Sequence, residues 1–386
     1  MKKNLVIALA LFCAGGLPGR AQNIDVLPVG SDASDGAALI MRDGDGIATA
    51  RISSEDLGSA DFYGWSVQPV KYEVKTDILL SPGSMRNINS LVSAGEYSGI
   101  VGVGENSYAV VHDKFNGGGI VFFDIRFDSS GNVRSIKESI PSATSDSGAQ
   151  RDVEGITYIG GKLLVSGESD QKILEYDLDG KPTGRGLEIP LDMGKGFVQS
   201  NNGFESLTSN EKTGLIWTTT ECALEKDMEY CPLENMGSLM RIQSFSAETY
   251  KPQRRYLYLM DKAQETEIYL NYVHGISDML ALDDGKLIVM EREVNADVSK
   301  FVARTHTKLY LIDPVNDKGG ILSKTLIYSF DNGNLETANF EGMCLGPDGT
   351  ILLINDSQGR KKFFAGLISL NDYIFTLRYN VWTLRD

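Results

Sequence analysis

The chain has 386 residues, 37 of them basic and 52 acidic, for a net charge of −15 at pH 7, with 41 glycines and 4 cysteines. Such a balance repels phosphate backbones and anionic lipid, which argues against nucleic-acid and membrane partners and is compatible with cation binding. Four cysteines are too few for a disulfide scaffold, and no stretch beyond the first 22 residues is long and apolar enough for a spanning helix.

Residues 1–22 read as a secretory signal peptide: MKK supplies a positive start, LVIALALFCAG a short apolar core, and GRA a small-x-small step before Gln22. Bulky Phe12 before Cys13 argues against a lipoprotein anchor. The protein is therefore expected to be periplasmic or secreted. Removing Lys2, Lys3 and Arg20 leaves 37 − 3 = 34 basic residues against 52 acidic ones, a net charge of 34 − 52 = −18. Residues 23–386 read as a single domain, with 23–89 an irregular N-terminal region or a closing blade.

From residue 90 onward one unit recurs. It appears as EYSGIVGVGENSYAVVHD from Glu96, DVEGITYIGGKLLVSGES from Asp152 and FESLTSNEKTGLIWTTTE from Phe204. ISDMLALDDGKLIVMERE from Ile276 and FEGMCLGPDGTILLINDS from Phe340 complete the set. Each is an acid, an apolar strand, a Gly/Asn/Asp-rich turn, a second apolar strand and a second acid. The first acids are Glu96, Glu154, Glu205, Asp278 and Glu341; the second are Asp113, Glu168, Glu221, Glu291 and Asp356. Successive first acids lie 58, 51, 73 and 63 residues apart. Such a period exceeds one hairpin and suits a four-stranded antiparallel unit, as in KILEYDLDGKPTGRGLEI after the second hairpin. Repeated four-stranded units predict an all-β β-propeller. Six blades are expected, with residues 23–89 pairing with the C-terminal YIFTLRYNVWTL to close the ring; five blades with an N-terminal extension is the alternative.

Antiparallel geometry puts the start of one strand beside the end of its partner, so both acids of a hairpin sit at the same end. Five hairpins around an axis would gather these carboxylates at one channel mouth. Clustered carboxylates raise one another's pKa or recruit a cation, and hard oxygen ligands suit Ca²⁺. Glu96, Asp113, Glu168, Asp278, Glu291 and Asp356 are candidate metal ligands. Glu154 and Glu341, with His112 and His274 as proton shuttles, are candidate catalytic groups. Arg151 and Arg292, with Glu205 and Glu221, are candidate substrate-binding residues. The competing structural role for any one acid is to latch neighbouring blades by accepting backbone N–H groups. Cys222 and Cys231 flank a short polar loop and are expected to be bridged; Cys344, in an apolar run, reads as a buried thiol.

The segments RDVEGITYIGGKLLVSGE, NNGFESLTSNEKTGLIWTTTE, HGISDMLALDDGKLIVMERE and NFEGMCLGPDGTILLINDS resemble the phytase-like propeller family, exported bacterial proteins described as having esterase-like activity of phytase. The resemblance runs from about residue 90 to the C-terminus. It implies a secreted propeller with hydrolase activity on ester or phosphate-ester bonds of a small molecule; Ca²⁺ assistance is the expectation from the clustered carboxylates, and a monomer is expected. Few lysines cluster near these segments, which counts against a strong inositol-phosphate pocket. A non-catalytic propeller binding a ligand or protein, with Tyr97, Tyr108 and Trp217 as stacking surface, is one alternative, and a calcium-dependent lactonase another.

Overall fold

Runs of β-branched and aromatic residues separated by turn residues form antiparallel hairpins along the chain. The hairpin of Val153–Ile159 and Lys162–Gly167 turns through Gly160 and Gly161, at φ of 59° and 74°, a conformation that favours glycine. The computed structural model describes residues 23–28, 37–43, 46–52, 80–113, 119–139, 151–199, 202–225, 238–300, 302–317, 321–333, 338–363 and 368–379. Residues 1–22, expected from the sequence to be a signal peptide, and Cys231 lie outside the described residues.

Five four-stranded antiparallel sheets follow in order. The first blade comprises Tyr97–Gly102, Ser107–His112, Gly119–Phe127 and Val133–Ser139. Val153–Ile159, Lys162–Gly167, Lys172–Tyr176 and Pro182–Gly186 make the second. The third contains Phe204–Asn210, Leu215–Thr220, Leu239–Ser246 and Pro252–Leu259. The fourth contains Asn271–Ala281, Leu287–Asp297, Val302–Ile312 and Lys324–Gly333. In each the first strand is innermost, and inner strands of successive blades touch all the way round, the fifth against the first. The molecule is a five-bladed β-propeller.

Five blades, not six, result because the last repeat is one strand short. Asn339–Leu345, Thr350–Asp356 and Tyr373–Tyr379 supply three strands, and Leu80–Asn87 pairs antiparallel with Tyr373–Tyr379 as the fourth. An N-terminal strand thus completes the fifth blade and joins the two ends of the ring, and among the described residues there is no sixth four-stranded sheet. Asn23–Pro28, Ala37–Asp43 and Gly46–Ile52 form a three-stranded sheet of their own.

Each interface between neighbouring blades carries its own apolar cluster. Phe204, Leu207 and Ile216 pack on Ile159, Leu164 and Ile173 between blades two and three, for example. Cys344 is buried between blades five and one, where burial and then Asp278 push its thiol up. Near the axis the inner strands approach so closely that a Cβ on Gly155 would stand 2.3 Å from the Glu205 carbonyl oxygen and 2.8 Å from the Leu207 Cβ. Gly155→Ala is therefore expected to cost about 1–3 kcal/mol through overpacking, read as a lower urea midpoint at unchanged m-value.

Candidate active site

Every inner strand carries a β-bulge at the same point of its pairing with the second strand. Tyr97 faces His112 and the register resumes at Ile100–Val110; Val153 faces Gly167 and it resumes at Ile156–Val165. Phe204–Thr220 is followed by Ser206–Thr219, Ile276–Glu291 by Asp278–Met290, and Phe340–Asn355 by Gly342–Ile354. A bulge re-aims one side chain, here Ser98, Glu154, Glu205, Ser277 and Glu341 in the five blades. One residue beyond the pair, the second strands contribute Asp113, Glu168, Glu221, Arg292 and Asp356. The two sets are the sequence repeat seen in space, with Ser98, Ser277 and Arg292 where the other blades have acids.

These side chains, Ser277 apart, line one cavity of about 750 Å³. Among the described residues it presents Asp113, Glu154, Glu168, Glu205, Glu221, Glu225, Glu341 and Asp356 against a single cation, Arg292. The buried Arg292 guanidinium donates to Glu221 from one Nη and to Glu341 and, at 3.0 Å, Asn339 from the other. Burial opposes its charge, but Glu221, Glu341 and Glu205 overcome this and hold it protonated. Asn202 Nδ2 donates to Glu221 at 2.8 Å, and Gly203 N to Glu168 at 2.7 Å. Ser98 Oγ stands 3.4 Å from Glu341 and also hydrogen-bonds Glu154.

Burial, followed by neighbouring carboxylates, pushes the proton affinity of several acids up. Glu154 is raised by burial and then by Glu341 and Asp113; Glu205 by burial and then by Glu154 and Glu221. Asp356 follows the same pattern with Glu341. Burial raises Glu341 too, although Arg292 pulls the other way. Carboxylate oxygens of Glu154, Glu168 and Glu205 lie within 4.8 Å of one another, as do those of Asp113, Asp152 and Glu154. An all-carboxylate donor set whose mutual repulsion is not neutralised fits a hard divalent cation such as Ca²⁺.

The cavity gathers eight of the residues singled out in the sequence: Glu154, Glu341, Glu205, Glu221, Arg292, Asp113, Glu168 and Asp356. Six others lie outside its lining. Asp278 and Glu291 were paired by sequence as the acids of the fourth unit, but the register places Ser277 and Arg292 at the equivalent positions. Asp278 instead accepts from Met279 N at 2.8 Å and Met343 N at 2.6 Å, the inter-blade latch, and burial raises it. Glu291 accepts from Tyr258 Oη and Lys324 Nζ, both at 2.6 Å, on the far side of its strand. Glu96 bridges Asp356 through the backbone just beyond the ring. His112 and His274 are buried away from the cavity, and burial lowers the His274 imidazole against the pull of Glu293 and Glu291. Arg151 is committed to Asp170 at 2.8 Å, Tyr176 Oη at 2.9 Å and the Lys172 carbonyl at 2.8 Å. Cys222 is buried with its Sγ 3.7 Å from the His274 carbonyl oxygen; its expected partner Cys231 is not among the described residues.

Sequence reasoning passed over Ser98, Asn202 and Asn339. The asparagines had a signal, since NGFE and NFE each place one shortly before a Phe-Glu pair.

Fold and cavity together define a β-propeller whose blades converge on a carboxylate-lined central site. The phytase-like family, described as "Esterase-like activity of phytase", matches residues 93–358, and the chain belongs to it. No curated protein matches the chain. Among solved structures it is similar to a streptogramin B lyase, at 14% identity over 78% of this chain and 98% of that one, TM-score 0.34. It is also similar to a nidogen/laminin complex, at 8% identity over 92% and 98%, TM-score 0.37. Myxococcus xanthus glutaminyl cyclase is similar at 9% identity over 78% and 97%, TM-score 0.37. Likenesses at this level carry no argument about activity.

Proposed function

We propose that the protein is an exported, monomeric hydrolase of ester or phosphate-ester bonds acting at the central cavity with a bound Ca²⁺. The observation that carries this reading is the convergence of acids from four blades, several with raised proton affinity, around one buried arginine. Glu154, Glu168 and Glu205 would hold the cation, which supplies Lewis-acid polarisation of the ester oxygen. Asp356, which lines the cavity outside this ligand set and has its proton affinity raised by burial and then Glu341, is suited to holding a proton and giving it to a leaving oxygen. Glu341, oriented by Arg292 and Asn339, is suited to accept a proton from the attacking water. With His112 and His274 outside the cavity lining, carboxyl groups take over the proton-shuttle role. One guanidinium already shared by two carboxylates is poorly equipped for several phosphates, so a monoester fits better than a polyphosphorylated sugar. The export signal in residues 1–22 and the Cys222–Cys231 bridge belong to the same proposal.

Turnover of p-nitrophenyl phosphate and p-nitrophenyl acetate, with and without chelator, tests it. Wild type is expected to turn over one of these esters in Ca²⁺. Glu154→Gln combined with Glu341→Gln is expected to lower that rate by about 10²–10⁴-fold. Unchanged hydrolysis and unchanged metal content in the double variant would remove the assignment.

A further inference from the structure

One side of the cavity carries the apolar residues Leu270, Val273 and Val294 beside Asn271 and Tyr272. The first two strands of the fourth blade are 11 residues each, against 6 or 7 in the other blades. Their extra length, from Asn271 paired with Ala296 to His274 paired with Glu293, forms a wall beside the carboxylates. Val273 and Val294 are cross-strand partners and both line the cavity, as does Leu270 just before the wall. Strand alternation puts Val294 on the same face as Arg292, so this face changes from charge to hydrocarbon within two residues.

The rear of the wall is braced by buried polar groups. Glu293 accepts from Gln264 N at 2.6 Å, Glu265 N at 3.1 Å and Tyr272 Oη at 2.9 Å. Asn295 accepts from Tyr269 N at 2.8 Å and donates to Glu265 at 3.0 Å and the Glu267 carbonyl at 2.7 Å. His306 at 2.9 Å and Arg304 at 3.0 Å complete the hold on Glu265. The segment leading to Leu270 is thus tied down, yet Leu270 itself is 82% exposed. A leucine held in water at the lip of a charged cavity gains burial energy only when a ligand covers it.

We infer that Leu270, Val273 and Val294 form an apolar subsite for a hydrocarbon group of the substrate, making the substrate an ester with an alkyl or aryl portion. The inference rests on the hydrolase reading only for the bond that is cut; the subsite is a statement about binding. Calorimetric titration of the full chain with n-alkyltrimethylammonium ions, ethyl to octyl, tests it without turnover, because the acidic floor attracts the common head group. Affinity is expected to tighten about fourfold for each methylene that the wall covers. Leu270→Ser, at an exposed position that leaves folding intact, and Val294→Ser are each expected to flatten this dependence. Affinity independent of chain length, or an undiminished dependence in both variants, overturns the subsite. Chain-length-dependent binding without turnover of p-nitrophenyl phosphate or of any p-nitrophenyl ester from acetate to octanoate overturns the hydrolase reading and leaves the subsite standing.

Discussion

Replacing Arg292 by methionine is expected to lower stability by about 3–5 kcal/mol, the range seen when one partner of a buried ion pair is removed. Glu221 and Glu341 would then lose their shared guanidinium in a cavity that contains no other cation among the described residues. Arg292→Lys is expected to recover only part of the loss, since an ammonium cannot span two carboxylates and Asn339 as a planar fork does. Adding Glu341→Gln to Arg292→Met should return stability part of the way toward wild type, because one of the two carboxylates that lost the guanidinium is then neutral while Glu221 still lacks its counter-ion. The variant's deficit should also grow with pH. Loss of the cation raises Glu341 further, so the folded state binds more protons than the unfolded one and stability falls as they dissociate. Urea melts at pH 5 and pH 8 read both effects, and a deficit that shrinks at pH 8 contradicts them.

The second large effect is an inverted pH dependence that a divalent cation reverses. Glu154, Glu205, Glu341 and Asp356 are all raised in the folded protein by burial first and neighbouring carboxylates next. Unfolded carboxyls titrate near pH ~4. Between there and the raised folded values the native state holds more protons, so its stability declines as pH rises through that window. Asp261 works in the opposite sense. Burial would raise it, but Lys324, Tyr310 and Lys308 bring it down to about 2, so its contribution is present above the unfolded value and lost as pH falls toward 2. In chelator the protein is therefore expected to be most stable near pH ~5 and to lose stability toward pH 8. Saturating Ca²⁺ at pH 8 should restore stability, by about 2.7 kcal/mol at a hundred times its Kd. It should also release protons from the cavity, measurable by titration in buffers of different ionisation enthalpy. A melting temperature that rises steadily from pH 5 to pH 8 in chelator would exclude this account of the carboxylates.

Much of this architecture follows from one-dimensional pattern. DVEGITYIGGKLLVSGES is a hairpin because its apolar runs are short and β-branched and its turn is Gly-Gly, and five copies of a longer four-stranded unit, this one included, point to a propeller. That both acids of a hairpin share one end is a property of antiparallel pairing, so Glu154 with Glu168 and Glu205 with Glu221 were readable before any coordinates. The seven predicted acids that meet in the cavity lie at that end of their hairpins.

What the tertiary structure alone decided is where the pattern is offset by one residue and where the ring closes. In the fourth blade, Ser277 and Asp278 are adjacent, as are Glu291 and Arg292, and nothing in their types shows which faces the axis. A bulge at Ser277 settles the first strand, because one unpaired residue exchanges the faces beyond it, and the register with alternation along the second strand puts Arg292 rather than Glu291 toward the axis. Arg292 thereby enters the cavity, Glu291 turns to Tyr258 and Lys324, and Asp278 becomes a latch between blades. Blade number has a similar cause. Leu80–Asn87 and Tyr373–Tyr379 are 286 residues apart at their pairing of Asn87 with Tyr373, a contact that no local periodicity encodes. Local sequence specified the hairpin and its charges; the bulges and the closing strand, which depend on partners distant in the chain, determined which charges meet.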